Sequence, residues 1–121
     1  MAKSKVTFDT VRKLGLALDG VEETTSYGKA ALRVGGKMMV CVPSHKSAEP
    51  DSLVVRVNFE ERAELIAAAP ETYYVTDHYA GYPSVLVRLP RIDPDALRDL
   101  LKMAWRFAAL GGKRRDSKGR V

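Results

Sequence analysis

The stretch AALRVGGKMMVCV, residues 30–42, decides the fold class. Two strand-like runs, 30–34 and 37–42, flank Gly35-Gly36. Paired glycines supply the positive φ that both central positions of a tight two-residue hairpin require. A hairpin makes its two strands antiparallel neighbours, so at least this part of the sheet is antiparallel.

Upstream, Thr7 caps a helix predicted to run to about Leu18. Asp9 sits in its first turn, and Phe8, Val11, Leu14 and Leu18 recur at helical spacing. Asp19-Gly20 ends it. Residues 22–27 are polar and read as an edge strand. Downstream, PSHKSAEPD (43–51) is a polar loop and Leu53–Val57 is a strand. Asn58 then caps a second helix, with Glu61 placed as in a capping box. Its apolar positions are Phe59, Ala63, Ile66 and Ala67, and it stops before Pro70. Tyr73–Thr76 and Ser84–Leu89 form a second strand pair, joined by DHYAGYP (77–83). Asp93-Pro94 opens the last helix, whose buried stripe is Leu97, Leu100, Leu101, Ala104 and Ala108. Trp105 and Phe107 do not both fit that stripe, so one covers a helix edge or contacts a partner.

The order is therefore helix, strands, helix, strands, helix. Short turns between neighbouring strands favour an α+β domain, with an antiparallel sheet of about five to six strands and helices packed on one face.

The length of 121 residues suits one domain, and a chain of this size buries roughly two-thirds of its unfolded surface. With 45% hydrophobic residues it builds a core without disulfides, and its single cysteine excludes an internal one. No apolar run approaches the ~18 residues of a membrane span, and no secretory signal core follows the basic start. The cytoplasm is the expected compartment.

The net charge of +5 is unevenly placed. Residues 111–121 carry five basic side chains and one acid, and Lys3 and Lys5 add two more charges at the other end. The intervening residues 6–110 hold thirteen basic and fourteen acidic side chains, a net −1. The division expected is a single domain over 1–110 and a basic, disordered tail over 111–121. Such a tail attracts polyanions without sequence preference.

Three strands share one triplet, an arginine between two apolar residues: Leu32-Arg33-Val34, Val55-Arg56-Val57 and Val87-Arg88-Leu89. Side chains alternate along a strand, so if the apolar flanks face the helices, Arg33, Arg56 and Arg88 all face the other way. Guanidinium groups grip phosphate and carboxylate bidentately, which makes the open face a candidate anion site. The competing reading is that each arginine pairs with a nearby acid or is solvated.

DHYAGYP is the richest local cluster. It offers His78 for hydrogen bonding and Tyr79 and Tyr82 for stacking, or it simply connects two strands. Cys41 lies mid-strand and reads as a buried, inert thiol. His45 and His78 are the only histidines, and the spacings of a zinc site or a Walker loop are absent. No acid–base or nucleophile constellation appears, so no enzyme, metal or cofactor is expected.

The segments LDGVEETTSYG (18–28), LRVGGK (32–37), DSLVVRVNFEERAELIAA (51–68) and VTDHYAGYPSVLVRL (75–89) resemble the MmcQ/YjbR-like proteins, in order and over nearly all of residues 7–108. Two positions depart from that pattern. Lys29-Ala30 follows Tyr27-Gly28 where a small residue and proline are frequent, and Ser84 stands where tryptophan is common. The resemblance implies a frataxin-type α+β sandwich and, by analogy with paired wings, DNA binding. On that analogy the Gly35-Gly36 hairpin and the 43–51 loop are the wings, with Lys37, His45 and Lys46 on phosphates. The alternative partner is a small anionic ligand or a protein, held by the open sheet face through Arg33, Arg56, Arg88, His78 and Tyr82. Frataxin-like iron handling calls for an acidic ridge, whereas the first helix carries Asp9 beside Arg12 and Lys13.

Overall fold

The computed structural model describes residues 6–110. The elements run α1 (Phe8–Leu16), β1 (Val21–Ser26), β2 (Lys29–Val34), β3 (Lys37–Cys41), β4 (Ser52–Arg56), α2 (Phe59–Ala68), β5 (Tyr73–Tyr74), α3 (Asp77–Ala80), β6 (Ser84–Arg88) and α4 (Pro94–Ala109). A single 3-10 turn, Leu89–Arg91, precedes α4. The six strands form one antiparallel sheet in the order β1-β2-β3-β4-β6-β5. The expected class and strand number hold. The basic tail and the first five residues lie outside the described residues.

Turn chemistry sets the first three strands. Gly35 and Gly36 have φ of 58° and 79°, as the two-residue hairpin demands. A second turn of the same sign joins β1 to β2 at Tyr27 (φ 53°) and Gly28 (φ 78°). A tyrosine in the left-handed region is uncommon.

One face of the sheet is the main core. Leu32, Val34, Leu53, Val55, Val57, Val85 and Val87 meet Val11 of α1 and Leu97, Leu100, Leu101, Ala104 and Ala108 of α4 there. Met39 and Val40 are consecutive, yet both are fully buried in this cluster. The register explains it: Leu32 opposes Val40 while Arg33 opposes Met38, so Met39 is the extra residue of a β-bulge. Gly15 brings α1 directly onto the sheet, because a Cβ there would collide with Cδ1 of the buried Leu32.

The helix caps follow the sequence. Asn58 Oδ1 accepts from Glu61 N–H at 2.7 Å, and Asp93 Oδ1 accepts from Ala96 N–H at 2.8 Å ahead of Pro94. α1 ends at Leu16, earlier than predicted, because Leu18 N–H turns back to Gly15 O. The exposed carbonyl of Asp19 is then taken by Trp105 Nε1 at 2.8 Å, the helix-edge role expected for an aromatic there.

Of the four apolar positions predicted for the second helix, Ile66 alone reaches the core. Ala63, Ala67 and Phe59 are exposed, and Leu65, Ile66 and Ala69 reach the core. α2 packs over the sheet margin at β5 and β6, so only its last turns touch the interior. The expected strand Tyr73–Thr76 shortens to two residues, since Asp77–Ala80 forms a helical turn.

The other sheet face is only partly open. Ala31, Cys41, Val54 and Leu86 make a small second core, covered by Ala48 of the 43–51 loop and Tyr79 of α3. Three helices thus lie on the expected face and the short α3 on the opposite one.

Candidate functional site

Alternation puts Arg33, Arg56 and Arg88 on the face away from α1 and α4, because their apolar neighbours lie in the main core. The three do not form one cluster. The ladder pairs Ser52 with Arg88 and Arg56 with Ser84, so Arg56 and Arg88 occupy opposite ends of the β4–β6 pair. Arg33 Nε donates to Glu22 on the neighbouring strand at 3.1 Å. Arg88 grips Glu49 with Nε and Nη2, both at 2.8 Å, donates to the carbonyls of Pro70 and Glu71, and lies 4.2 Å over the Tyr74 ring. It clamps the 43–51 loop to the sheet. The expected three-arginine site is therefore corrected: acids from other segments occupy two of the three.

Arg56 differs. It is half-buried and has no ion pair among the described residues. It lines a cavity of about 350 Å³. The floor is built by Met38 and Cys41 of β3, Val54 and Arg56 of β4, and Ser84 of β6. Pro43, Ser44, Ser26 and Tyr27 also line it, and His78, Tyr79 and Tyr82 form a wall. Arg62 of α2 donates to the carbonyls of Tyr82 and Ser84 at 3.2 and 3.3 Å, which fixes the segment carrying that wall.

The 43–51 loop does not project as a wing. It lies over the sheet, held by Ser47 Oγ to Thr76 Oγ1 at 2.8 Å, Glu49 N–H to Tyr74 Oη at 2.8 Å, and His45 N–H to Tyr79 Oη at 3.4 Å. Inside the loop, Ser47 N–H donates to His45 Nδ1 at 3.0 Å, so the neutral ring carries its proton on Nε2. The rings of His45 and His78 stack with centroids 3.6 Å apart. His78 faces the cavity, and His45 sits behind it on a second cavity of about 450 Å³. That second space is larger, but its charged lining residues are only Glu49, already paired with Arg88, and Asp51.

Burial pushes the Cys41 thiol up to about 11, with the nearby Arg56 charge pulling the other way. The thiol is neutral at physiological pH and has no nucleophile's character.

Of the residues the sequence singled out, Arg56, His78 and Tyr82 meet in the cavity and His45 stands behind them. Lys37 and Lys46 are exposed at the hairpin and on the loop. Sequence reasoning missed Tyr27, Met38 and Ser84 as lining residues, and the imidazole stack. Tyr27-Gly28 carried a turn signal that places a side chain at a sheet end. Nothing local signals the rest. Among the described residues no group of three or more metal-ligating side chains converges, and no helix is long and apolar enough to cross a membrane.

An α+β sandwich whose six-stranded antiparallel sheet carries a cavity on its less covered face is the class this geometry defines. The YjbR family model matches residues 16–107, and the chain belongs to that family. It is similar to the uncharacterized protein Rv2570 of Mycobacterium tuberculosis, 34% identical over 117 residues, covering 85% of this chain and 88% of the relative. The uncharacterized protein Mb2600 of Mycobacterium bovis gives the same figures. A crystal structure of Deinococcus radiodurans protein DR2400, with a DUF419 domain, superposes with a TM-score of 0.73 at 20% identity. The match covers 95% of this chain and 87% of that one. At that identity the likeness concerns the fold.

Proposed function

We propose that the protein binds a small anionic ligand in the cavity at Arg56. One observation carries this reading: of the three sheet arginines, only Arg56 lacks an acid among the described residues, and it is the one that lines the cavity. A guanidinium drawn partly out of water gains from a charged acceptor, and hydrogen bonds to ionised groups are the stronger ones. The hydroxyls of Ser26, Ser44, Ser84 and Tyr82 belong to residues lining the same cavity and offer further donors. A few polar groups converging over an apolar floor are what a small-molecule site requires.

Duplex DNA is the second reading. Exposed Lys37 and Lys46 favour it, together with the basic ends of the chain. Residues 6–110 carry a net −1, and salt-dependent DNA binding draws on several phosphate contacts. Calorimetric titration with benzoate and with inorganic phosphate tests the first reading. Arg56→Gln is expected to lose binding and Arg33→Gln to keep it. Binding of labelled duplex at two salt concentrations, with and without residues 111–121, tests the second. Tight, tail-independent duplex binding together with no anion response at Arg56 reverses the order of the two.

A further inference from the structure

We infer that the ligand of this cavity is a flat monoanion, an aromatic carboxylate, and not a polyphosphate. The inference rests on the anion reading above and adds the chemical class.

Charge is the first ground. Among the described residues the cavity offers one unpaired guanidinium, because Glu22 and Glu49 neutralise Arg33 and Arg88 outside it. A single fork matches one carboxylate bidentately, whereas a phosphate monoester near neutral pH brings close to two charges and three acceptor oxygens. The neutral Cys41 thiol adds no anion to the floor and no second cation stands beside it.

Apolar lining is the second. Met38, Cys41 and Val54 line the same cavity, soft groups that suit a ring and offer nothing to a hydrated phosphate. At the mouth, Tyr27 is 90% exposed and Tyr82 54% exposed. Two aromatic side chains left in water at one cavity rim offer faces for stacking. Tyr27 holds this place at φ 53°, where glycine is the unstrained choice. Backbone strain that displays a side chain at a cavity fits a binding role.

Size is the third. A volume of about 350 Å³ lies at the small end of ligand pockets. It suits one or two fused rings with a carboxylate and excludes a dinucleotide.

The probes are 2-naphthoate, its neutral analogue 2-naphthamide, and inorganic phosphate, titrated into the full chain by calorimetry, with amide shifts followed by NMR. Naphthoate is expected to bind saturably and to shift Tyr27, Tyr82 and Ser84. Naphthamide is expected to bind about ten-fold or more weaker, the worth of one charge-assisted contact. Arg56→Gln should remove that difference, and Arg56→Lys, which keeps charge without the fork, should restore only part of it. Tyr82→Ala should weaken naphthoate more than phosphate, because it removes the stacking face as well as one hydroxyl donor. Arg33→Gln serves as the folded control outside the cavity. Phosphate binding tighter than naphthoate, and lost in Arg56→Gln, overturns the aromatic class while keeping the anion reading. Anion binding indifferent to Arg56→Gln, or no saturable binding of either anion, overturns both.

Discussion

The imidazole rings of His45 and His78 lie face to face, 3.6 Å between centroids and 9° from parallel. The stack joins the loop over the sheet to the wall of the cavity. Positive charge on His78 at this separation disfavours protonating His45.

Burial, then His78, then Lys46 lower the pKa of His45 below the ordinary histidine value. A folded-state pKa below the unfolded one means that the neutral ring stabilises the fold. That contribution is complete above about pH 6.5 and declines as pH falls toward the folded value. Protonation at Nδ1 also ends the bond from Ser47 N–H. Amide exchange in the 43–51 loop is therefore expected to quicken on acidification through this window. By NMR titration, His45 should titrate below about 6.5, and His78→Ala should move it upward. A His45 that titrates at or above the ordinary value contradicts this.

Arg88 holds the Glu49 carboxyl below its ordinary range, first by hydrogen bonding and then by charge. A depressed carboxyl contributes stability that is present above the unfolded pKa, about 4.3, and lost as pH falls through the folded value. The loop should thus loosen in a second, more acidic step. Arg88→Ala is expected to abolish that step and to raise loop exchange already at neutral pH. If exchange at Ala48 and Glu49 is the same in Arg88→Ala and the parent, the clamp has no mechanical role.

Gly15 of α1 lies directly against Leu32 of β2, leaving no room for a Cβ. Gly15→Ala gains up to about 1 kcal/mol of helix propensity, but overpacking a filled core costs about 1–3 kcal/mol. Leu32 is fully buried and has little room to give way. A net loss of about 1 kcal/mol is expected in denaturant unfolding. In the Leu32→Val background the Gly15→Ala cost should shrink, because neighbours in contact are not additive. A stabilised Gly15→Ala protein would show that α1 moves freely over the sheet.

Trp105 ties the end of α4 to the loop after α1 through Asp19 O. Trp105→Phe keeps most of the ring and removes the donor. A loss of about 0.5–1.5 kcal/mol is expected, the net worth of one such bond. Unchanged thermal unfolding would mean that water replaces the indole at Asp19 without cost.

Several features were legible because they are local. Gly35-Gly36 announced the hairpin, Asn58 and Asp93 the helix starts, and the apolar-Arg-apolar triplets the face on which the arginines lie. The α2 stripe misled, because spacing tells which residues share a side and not which side meets the core. The bulge at Met39 was silent, since one extra residue in a run of buried apolar side chains leaves the pattern intact.

By itself the sequence determined the α+β class, the antiparallel pairing and the outward direction of Arg33, Arg56 and Arg88. Those follow from backbone periodicity and turn conformation, which neighbouring residues dictate. Only the tertiary structure decided which of these three lacks an acid among the described residues. Glu49 reaches Arg88 from 39 residues away, and Glu22 reaches Arg33 across a strand pair. Arg56 comes to line one cavity with Tyr27, His78 and Tyr82 only through the strand order and the folded-back loop. Long-range burial fixes that order, and no residue's immediate neighbours encode it.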